Sequence, residues 1–263
     1  MKLSLNLSKL RNRKDKVLVI SWWGTRWFYA LGVLKWLEDL WFKKDIKEIY
    51  WVSAWAIAWA YRSAGYTADE IFEKFIKINL FSLDKINLLT KKSILKSDRF
   101  NDMFKKDLPK DFKELPIPLK VGVTNSKKAD FLLFNTWRID KALTASMAIP
   151  WIFPPITSGK YTLIDGWITN NFPVDIAKKE HPRKKIIWIY LNKFVENQKI
   201  DTLIENLAVS YEILLRWSSL KKFKLVDHLF YKNIKIKILD TNKNGMEKLF
   251  IEWYKDCIKE FKK

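Results

Sequence analysis

Apolar runs that alternate with helical patterns constrain the fold of this chain more than any other feature of its sequence. The run 16–21 (KVLVIS) ends in a turn, apolar residues then recur every three positions over 28–40, and a second apolar run covers 46–52. Short apolar runs of this kind are typical of strands that are buried on both faces of a parallel sheet. Strands that alternate with helices therefore predict an α/β fold, with a mostly parallel central sheet flanked by helices on both faces.

The rest of the chain continues this pattern and predicts one domain. Further strands are expected at 119–124, 131–134, 161–164, 185–191 and 234–239, and further helices at 54–64, from Thr67 onward, and at 140–148, 202–220 and 246–261. Residues 80–118 predict short helices and loops, which we interpret as a lid over the site. The length of 263 residues suits a single domain. We place a basic arm at 1–15 and the domain at 16–263, which divides into a motif-bearing part, 16–192, and a C-terminal part, 193–263.

The formal net charge of +20 admits two explanations. A codon bias toward Lys accounts for it without any function. Attraction to an anionic phospholipid surface accounts for it at about 1 kcal/mol per basic residue near a membrane. Nucleic-acid binding is less favoured, because the Lys residues are scattered and no helix-turn-helix, zinc-finger or RNA-recognition pattern is present.

The remaining composition favours a cytoplasmic protein without a metal site. The single cysteine, Cys257, excludes an internal disulfide and favours a reducing compartment. No cluster of Cys and His suggests a metal site. The N-terminal segment lacks the apolar region of a signal peptide, and no stretch is long and apolar enough to span a bilayer. We therefore expect a cytoplasmic location, either free or peripheral on the inner face of the membrane.

A serine stands between the second strand and the next helix, in the phrase Trp51-Val52-Ser53-Ala54-Trp55. A serine at such a junction is the setting of a nucleophile elbow, a sharp turn that lifts the hydroxyl above the sheet. Its pattern is G-x-S-x-G, because the residues two before and two after the serine lie close to neighbouring strands. Ser53 is therefore the candidate nucleophile, although Trp51 and Trp55 stand at both glycine positions.

The loop between the first strand and its helix, 22–27 (WWGTRW), is the candidate anion site. Backbone N–H groups at the start of a helix can hold either a phosphate or the oxyanion of an acyl-transfer intermediate. This loop alone leaves nucleotide binding open as an alternative, which the nearby serine disfavours.

Asp165 is the better of two candidate bases. It ends a predicted strand and is followed by Gly166. Burial in an apolar cleft can raise the pKa of a carboxyl from about 3.9 and make it a base for the serine. The alternative base is a histidine. His228, beside Asp227, permits the chain order Ser-Asp-His of a hydrolase triad, whereas His181 lies in a charged turn.

Together these phrases resemble those of the patatin-like phospholipase family, over about residues 16–192. The family's phrases, in the same order, are G-G-G-x-R/K-G, G-x-S-x-G and D-G-G/A. Two further stretches are similar to family motifs: 145–155 (ASMAIPWIFPP) and 170–174 (NNFPV). The resemblance implies a patatin-like three-layer α/β architecture.

The resemblance also implies an activity, that of a bacterial lipid acyl hydrolase of the phospholipase A or lysophospholipase type, which cleaves acyl esters through an acyl-enzyme. Ser53 would be the nucleophile and Asp165 the proton acceptor, in a Ser-Asp dyad. The oxyanion hole would be formed by the backbone of the first loop, whose residues are Trp22, Trp23, Gly24, Thr25, Arg26 and Trp27. No cofactor, metal or nucleic-acid partner is implied. The expected partners are a phospholipid or lysophospholipid substrate and, peripherally, an anionic membrane.

Tryptophan stands where this family expects glycine. The positions are Trp22, Trp23, Trp27, Trp51, Trp55, Trp151 and Trp167, and Trp137 and Trp188 also fall where Gly would be unremarkable. The chain has fourteen Trp and only seven Gly, although Gly averages about 7% of residues in proteins. The simplest explanation is a decoding difference, because some bacterial lineages read the codon UGA as Gly. We predict Gly at these positions in the native protein. If the Trp residues are native, the chain is an inactive patatin-like lipid-binding protein.

Overall fold

The described part of the chain contains eight strands, which form one mixed sheet. The computed structural model describes residues 16–21, 27–39, 46–53, 56–76, 98–150, 152–190, 200–231 and 243–261. In chain order the strands are β1 (Lys16–Ser21), β2 (Ile46–Val52), β3 (Leu119–Asn125), β4 (Asp130–Phe134), β5 (Ile156–Ser158), β6 (Tyr161–Asp165), β7 (Lys185–Tyr190) and β8 (His228–Tyr231). The helices are α1 (Trp27–Asp39), α2 (Ala56–Ser63), α3 (Ala68–Ile76), α4 (Asp98–Asp107), α5 (Ile139–Ser146), α6 (Trp167–Asn170), α7 (Val174–Glu180), α8 (Leu203–Leu220) and α9 (Lys243–Phe261).

The strands β3-β2-β1-β7-β8 lie side by side in this order and are all parallel. Both β4 and β6 pair antiparallel with β3, and β5 pairs antiparallel with β6. Parallel neighbours need crossover connections, and α1 supplies one between β1 and β2. The predicted α/β fold with a mostly parallel sheet is confirmed, and antiparallel strands extend it at one edge.

Side chains that alternate along the strands build a core on each face of the sheet. Leu18 and Trp51 face a large apolar cluster formed with α1, α2, α3, α4, α5 and α9. Val17 and Tyr50 face the other way, onto a smaller cluster with α7 and the segment 223–226. Because successive residues of a strand point to opposite faces, these two clusters make three layers, with helices on both sides of the sheet.

The turn between α2 and α3 is built as its sequence predicts. Gly65 adopts a φ of +105°, a left-handed conformation that favours glycine. The Thr67 hydroxyl accepts the N–H of Glu70 at 3.2 Å, and the Glu70 carboxylate accepts the N–H of Thr67 at 2.7 Å. These two bonds form a capping box, which fixes the start of α3.

Some predictions fall on residues that the structure does not describe, namely the arm 1–15, the segment 80–97 and the strand 234–239. Four described elements, β5, α6, α7 and β8, were not predicted from the sequence. They span three, four, seven and four residues, and such short segments carry little periodic signal. Among the described helices, none has the length and apolar character needed to cross a membrane.

Candidate active site

The strands β2 and β6 end beside neighbouring residues of β3, and this places Ser53 against Asp165. Val52 pairs with Gly122 of β3, and Asp165 pairs with the next residue, Val123. Because β2 runs parallel to β3 whereas β6 runs antiparallel, the two strands approach the same point from opposite ends. The residue that follows β2 therefore meets the residue that ends β6.

Ser53 and Asp165 form a buried hydrogen bond. The Ser53 hydroxyl donates to Asp165 Oδ2 at 2.6 Å, and the N–H of Trp167 donates to Asp165 Oδ1 at 3.1 Å. Asp165 is 0% exposed and Ser53 is 6% exposed. Each carboxylate oxygen thus has a donor, and one of them faces the hydroxyl. The structure brings together the two residues that the sequence singles out for nucleophile and base.

The backbone of Ser53 is strained. Its φ is +82°, in the left-handed region that costs a residue with a Cβ about 1–2 kcal/mol. The turn that contains it connects β2 to α2. A strained serine between a strand and a helix is what the elbow pattern predicts.

Burial raises the pKa of Asp165 well above its ordinary value. The hydrogen bonds from Ser53 and Trp167 lower this pKa, because they stabilise the carboxylate, but they do not offset the loss of solvation. A carboxylate with a raised pKa binds a proton more strongly and is a better general base. The arrangement can therefore take up the proton of the serine hydroxyl.

Ser146 ties the serine turn to the sheet, a role that the sequence does not reveal. Its Oγ accepts the N–H of Ser53 at 2.9 Å and donates to the Gly122 carbonyl at 2.8 Å. Ser146 ends α5 and is fully buried. It lies in the stretch 145–155, and the resemblance of that stretch to a family motif is the signal that could have found it.

Two glycines permit the close approach of backbones at the site. A Cβ on Gly166 would lie 2.5 Å from the Gly122 carbonyl oxygen and 2.8 Å from the Val123 nitrogen. A Cβ on Gly122 would lie 2.7 Å from Val52 Cγ2 and 2.6 Å from Phe131 Cζ. Real Cβ atoms essentially never come within 3.0 Å of such neighbours. The sequence singles out Gly166 but gives no sign that Gly122 has this role.

Two tryptophans at predicted glycine positions are buried near Ser53. Trp51 is 1% exposed, and its Nε1 donates to the Ser53 carbonyl at 3.3 Å. Its ring stacks on Trp59, with the ring centroids 5.8 Å apart. Trp167 is buried against Val52. Both indoles therefore pack in apolar surroundings, in two different clusters.

Trp137 has a φ of +89°, a backbone conformation that favours glycine over every other residue. A glycine at this position would adopt that φ without strain. Trp27 is the first residue of α1, and Trp188 lies in β7. Two other predicted glycine positions, Trp55 and Trp151, lie outside the described residues. The same is true of most of the loop that the sequence predicts to be the oxyanion hole, namely Trp22, Trp23, Gly24, Thr25 and Arg26.

The alternative triad is not supported by the position of its residues. Asp227 is bound elsewhere, because it accepts the N–H of Ile186 at 3.0 Å and the ammonium group of Lys185 at 2.8 Å. His228 begins β8, which is the third strand from β2. At about 4.8 Å per strand, three spacings separate them by about 14 Å. This distance from Ser53 disfavours His228 as its base.

His181 belongs to a charged cluster near the start of β2. Its Nε2 lies 2.5 Å from a Glu48 carboxylate oxygen. Single ligand atoms of Glu48, Glu180 and His181 lie within 4.8 Å of one another, a spacing that could hold a metal ion. Lys120 Nζ lies 2.6 Å from Glu180 and 3.6 Å from Glu48, so its ammonium group forms ion pairs with both carboxylates. We therefore assign this cluster a structural role, in joining α7 to β2 and β3.

The fold and the site together define a class of protein: an α/β sheet that carries a serine in a strained strand-to-helix turn, bonded to a buried acid, as in hydrolases with a nucleophile elbow. The comparison with family models agrees with this class. The patatin-like phospholipase model matches residues 24–178, and the chain belongs to this family. The predicted family and architecture are confirmed.

The chain is also similar to a viral relative and to solved bacterial structures. The chain is similar to a protein named probable lipid hydrolase 463L, of Invertebrate iridescent virus 6, with 32% identity over 206 residues, 68% of this chain and 70% of the relative. It is also similar to a chain in the ExoU–SpcU complex of Pseudomonas aeruginosa, with a TM-score of 0.50 and 12% identity over 94% of this chain and 52% of that chain. VipD of Legionella pneumophila matches with a TM-score of 0.49 and 14% identity, over 91% of this chain and 67% of that chain. At this identity the ExoU match shows the fold alone, and the chain spans about half the length of that structure.

Proposed function

We propose that this protein is a lipid acyl hydrolase that cleaves acyl esters of phospholipids or lysophospholipids. The observation that carries the proposal is the 2.6 Å hydrogen bond from the Ser53 hydroxyl to the buried Asp165 carboxylate. Membership of the patatin-like phospholipase family and the similarity to a probable viral lipid hydrolase support a lipid ester as the substrate. The net charge of +20 supports peripheral contact with an anionic membrane.

Ser53 is the proposed nucleophile and Asp165 the proposed general base. As Ser53 Oγ attacks the acyl carbonyl carbon, its proton moves to Asp165 Oδ2 across their 2.6 Å contact. The tetrahedral intermediate collapses, the ester bond breaks, and the protonated Asp165 returns the proton to the departing alcohol. Water then attacks the acyl-enzyme, with Asp165 again as the base, and releases the fatty acid.

The raised pKa of Asp165 suits both proton transfers. A carboxyl with the ordinary pKa of about 3.9 holds a proton too weakly to be an effective base for an alcohol. Burial raises the pKa of Asp165 and strengthens it as a base. The N–H of Trp167 holds Oδ1 at 3.1 Å, which keeps Oδ2 turned toward Ser53.

We place the oxyanion hole in the loop that precedes α1, as the family resemblance implies. Backbone N–H groups at the start of a helix carry the positive end of its dipole and stabilise a developing negative charge. In this proposal, N–H groups of residues 22–25 hold the oxyanion, and Arg26 shapes the loop or contacts a phosphate.

Hydrolysis of a soluble short-chain ester and of a lysophospholipid tests the proposal. We would measure two chains, the printed sequence and a glycine chain that carries Trp22→Gly, Trp23→Gly, Trp27→Gly, Trp51→Gly, Trp55→Gly, Trp151→Gly and Trp167→Gly. The family pattern has glycine at these seven positions, so we expect the glycine chain to be the more active one.

The role of the serine is tested in the glycine chain. Ser53→Ala should lower kcat by at least about a thousandfold, because it removes the nucleophile. Ser126→Ala is the matched control, since Ser126 is exposed and its hydroxyl donates only to the Thr162 carbonyl at 3.0 Å. Turnover that survives Ser53→Ala, or no turnover by either chain, would contradict the proposed function.

A further inference from the structure

The C-terminal half of α8 exposes large apolar side chains to solvent. They are Ile213, Leu214, Trp217 and Leu220, with exposed fractions of 41%, 61%, 71% and 43%. We refer to these four residues as the α8 stripe. Soluble proteins rarely leave such side chains exposed together unless the surface binds a partner. Three of the four are aliphatic, so the stripe is apolar without Trp217.

The α8 stripe occupies one side of the helix. At about 100° per residue, its four members fall within an arc of about 120°. Glu212 and Ser219 lie on the opposite side and are 3% and 0% exposed. Ser210 and Asn206, one and two turns earlier on the arc of the stripe, are polar and exposed. The helix therefore packs through its other side, and the exposed large apolar side chains that the structure describes on it lie in its last turns.

The residues that flank the α8 stripe along the chain are basic. Arg216, Lys221 and Lys224 are exposed, and the sequence from 213 to 226 contains no Asp or Glu. A helix with an apolar stripe and basic flanks is suited to the headgroup region of an anionic bilayer, where the apolar side chains enter the acyl boundary and the basic ones contact phosphates. A second copy of the chain fits less well, because both copies carry a net charge of +20 and the same basic flanks.

The α8 stripe is linked to the segment that follows the proposed base. Lys222 Nζ, two residues after the stripe, donates to Asn170 Oδ1 at 2.8 Å and to the Phe172 carbonyl at 3.0 Å. Asn170 ends α6, the short helix that begins two residues after Asp165. Ile168, also on α6, is 41% exposed. These two hydrogen bonds attach the end of α8 to the segment that follows Asp165, and Ile168 adds an exposed apolar side chain on that segment.

We propose that the α8 stripe and its basic flanks form the surface by which this protein docks on anionic phospholipid. Docking there holds the bilayer at the side of the molecule that carries α6 and the connection from Asp165. The delivery of substrate to Ser53 rests on the proposed function, whereas the binding itself does not.

Co-sedimentation with vesicles tests the docking surface. The Ser53→Ala protein is mixed with phosphatidylcholine vesicles with or without phosphatidylglycerol, so that binding is measured without hydrolysis. We expect binding that requires phosphatidylglycerol and weakens with salt. The double change Leu214→Ser and Leu220→Ser should weaken this binding by at least about tenfold, because two exposed apolar side chains no longer enter the acyl boundary. Circular dichroism checks that the variants are folded.

Two further variants make the test specific. Ile251→Ser is the matched control, because Ile251 is 48% exposed but lies on α9, and it should bind like the parent. The double change Lys221→Ala and Lys224→Ala should reduce the dependence on phosphatidylglycerol. Parental binding by the Leu214 and Leu220 variant would overturn the proposal. A parent dimer that this variant dissociates would also overturn it, since the stripe would then join two copies.

The vesicle result and the proposed function can fail separately. Turnover of the soluble ester reports on the dyad and does not need a membrane. If the protein binds the vesicles through the stripe but cleaves no ester, the docking surface is supported and the proposed function is refuted. If the protein cleaves the soluble ester but binds anionic vesicles equally well when the stripe is altered, the proposed function is supported and the docking surface is refuted.

Discussion

The Ser146→Ala substitution removes the hydroxyl that joins the serine turn to β3. It leaves the buried N–H of Ser53 without its acceptor at 2.9 Å and takes one donor from the Gly122 carbonyl. A buried donor left unpaired costs about 1–3 kcal/mol, and the loss of an ordinary hydrogen bond costs about 1 kcal/mol. We therefore expect the free energy of unfolding to fall by about 2–4 kcal/mol. For a protein of this size the Tm should then fall by about 5–15 °C.

The same substitution should slow the reaction, because Ser146 helps to hold Ser53 at its strained φ of +82°. A shift of about 1 Å at a reacting atom can cost roughly a hundredfold in rate, so we expect kcat for the soluble ester to fall by about ten- to a hundredfold. Thermal melting and kcat are measured beside Ser126→Ala, which removes an exposed hydroxyl. A Ser146→Ala protein that melts with this control and keeps the parental kcat would refute the positioning role.

Three other substitutions test the site and the glycine prediction. Asp165→Asn should abolish turnover and stabilise the fold at neutral pH. Burial raises the folded-state pKa of Asp165 above its unfolded pKa of about 3.9. The stability that this group contributes is therefore present below the unfolded pKa and is lost as pH rises through the raised folded-state pKa. The Tm of Asp165→Asn relative to the parent should therefore increase with pH, and a difference that does not change with pH would contradict this. Gly166→Ala should lower the free energy of unfolding by about 1–3 kcal/mol or more, because its Cβ would lie 2.5 Å from a backbone oxygen, and an unchanged Tm would argue against the close packing. Trp137→Gly should change the free energy of unfolding by less than about 1 kcal/mol, since relief of the strain at φ +89° offsets the lost contacts. Trp36→Gly is the comparison: it empties a core position in α1 that is 2% exposed and should lower the free energy of unfolding by at least about 4 kcal/mol. Equal losses for the two variants would refute the inference about position 137.

The sequence predicted the elements that carry the dyad because their signals are local. The bounds of β1 and β2 are those expected from the apolar runs. The capping box at Thr67 and the left-handed Gly65 also follow from residues within a few positions of each other. The pairing of Ser53 with Asp165 came from the order of the motifs, and the structure supplies its physical reason, the two strand ends that meet beside β3.

The supports of the dyad could not be predicted, because they depend on contacts between distant parts of the chain. Ser146 is separated from Ser53 by 93 residues. The need for glycine at 122 arises from Val52 and Phe131 on two neighbouring strands. Likewise, the exposure of Leu214 follows from which side of α8 packs against the protein, and periodicity alone does not determine that choice.

The most direct test of the account is to treat the protein from its native cells with a fluorophosphonate and to measure the mass of the peptide 50–62. The mass of this peptide reports Trp or Gly at positions 51 and 55, and an adduct reports a reactive serine. We predict a single adduct on Ser53, in a peptide that carries Gly at these positions. An unmodified Ser53 peptide in the presence of excess reagent would contradict the proposed nucleophile, and Trp in that unmodified peptide would favour an inactive lipid-binding protein.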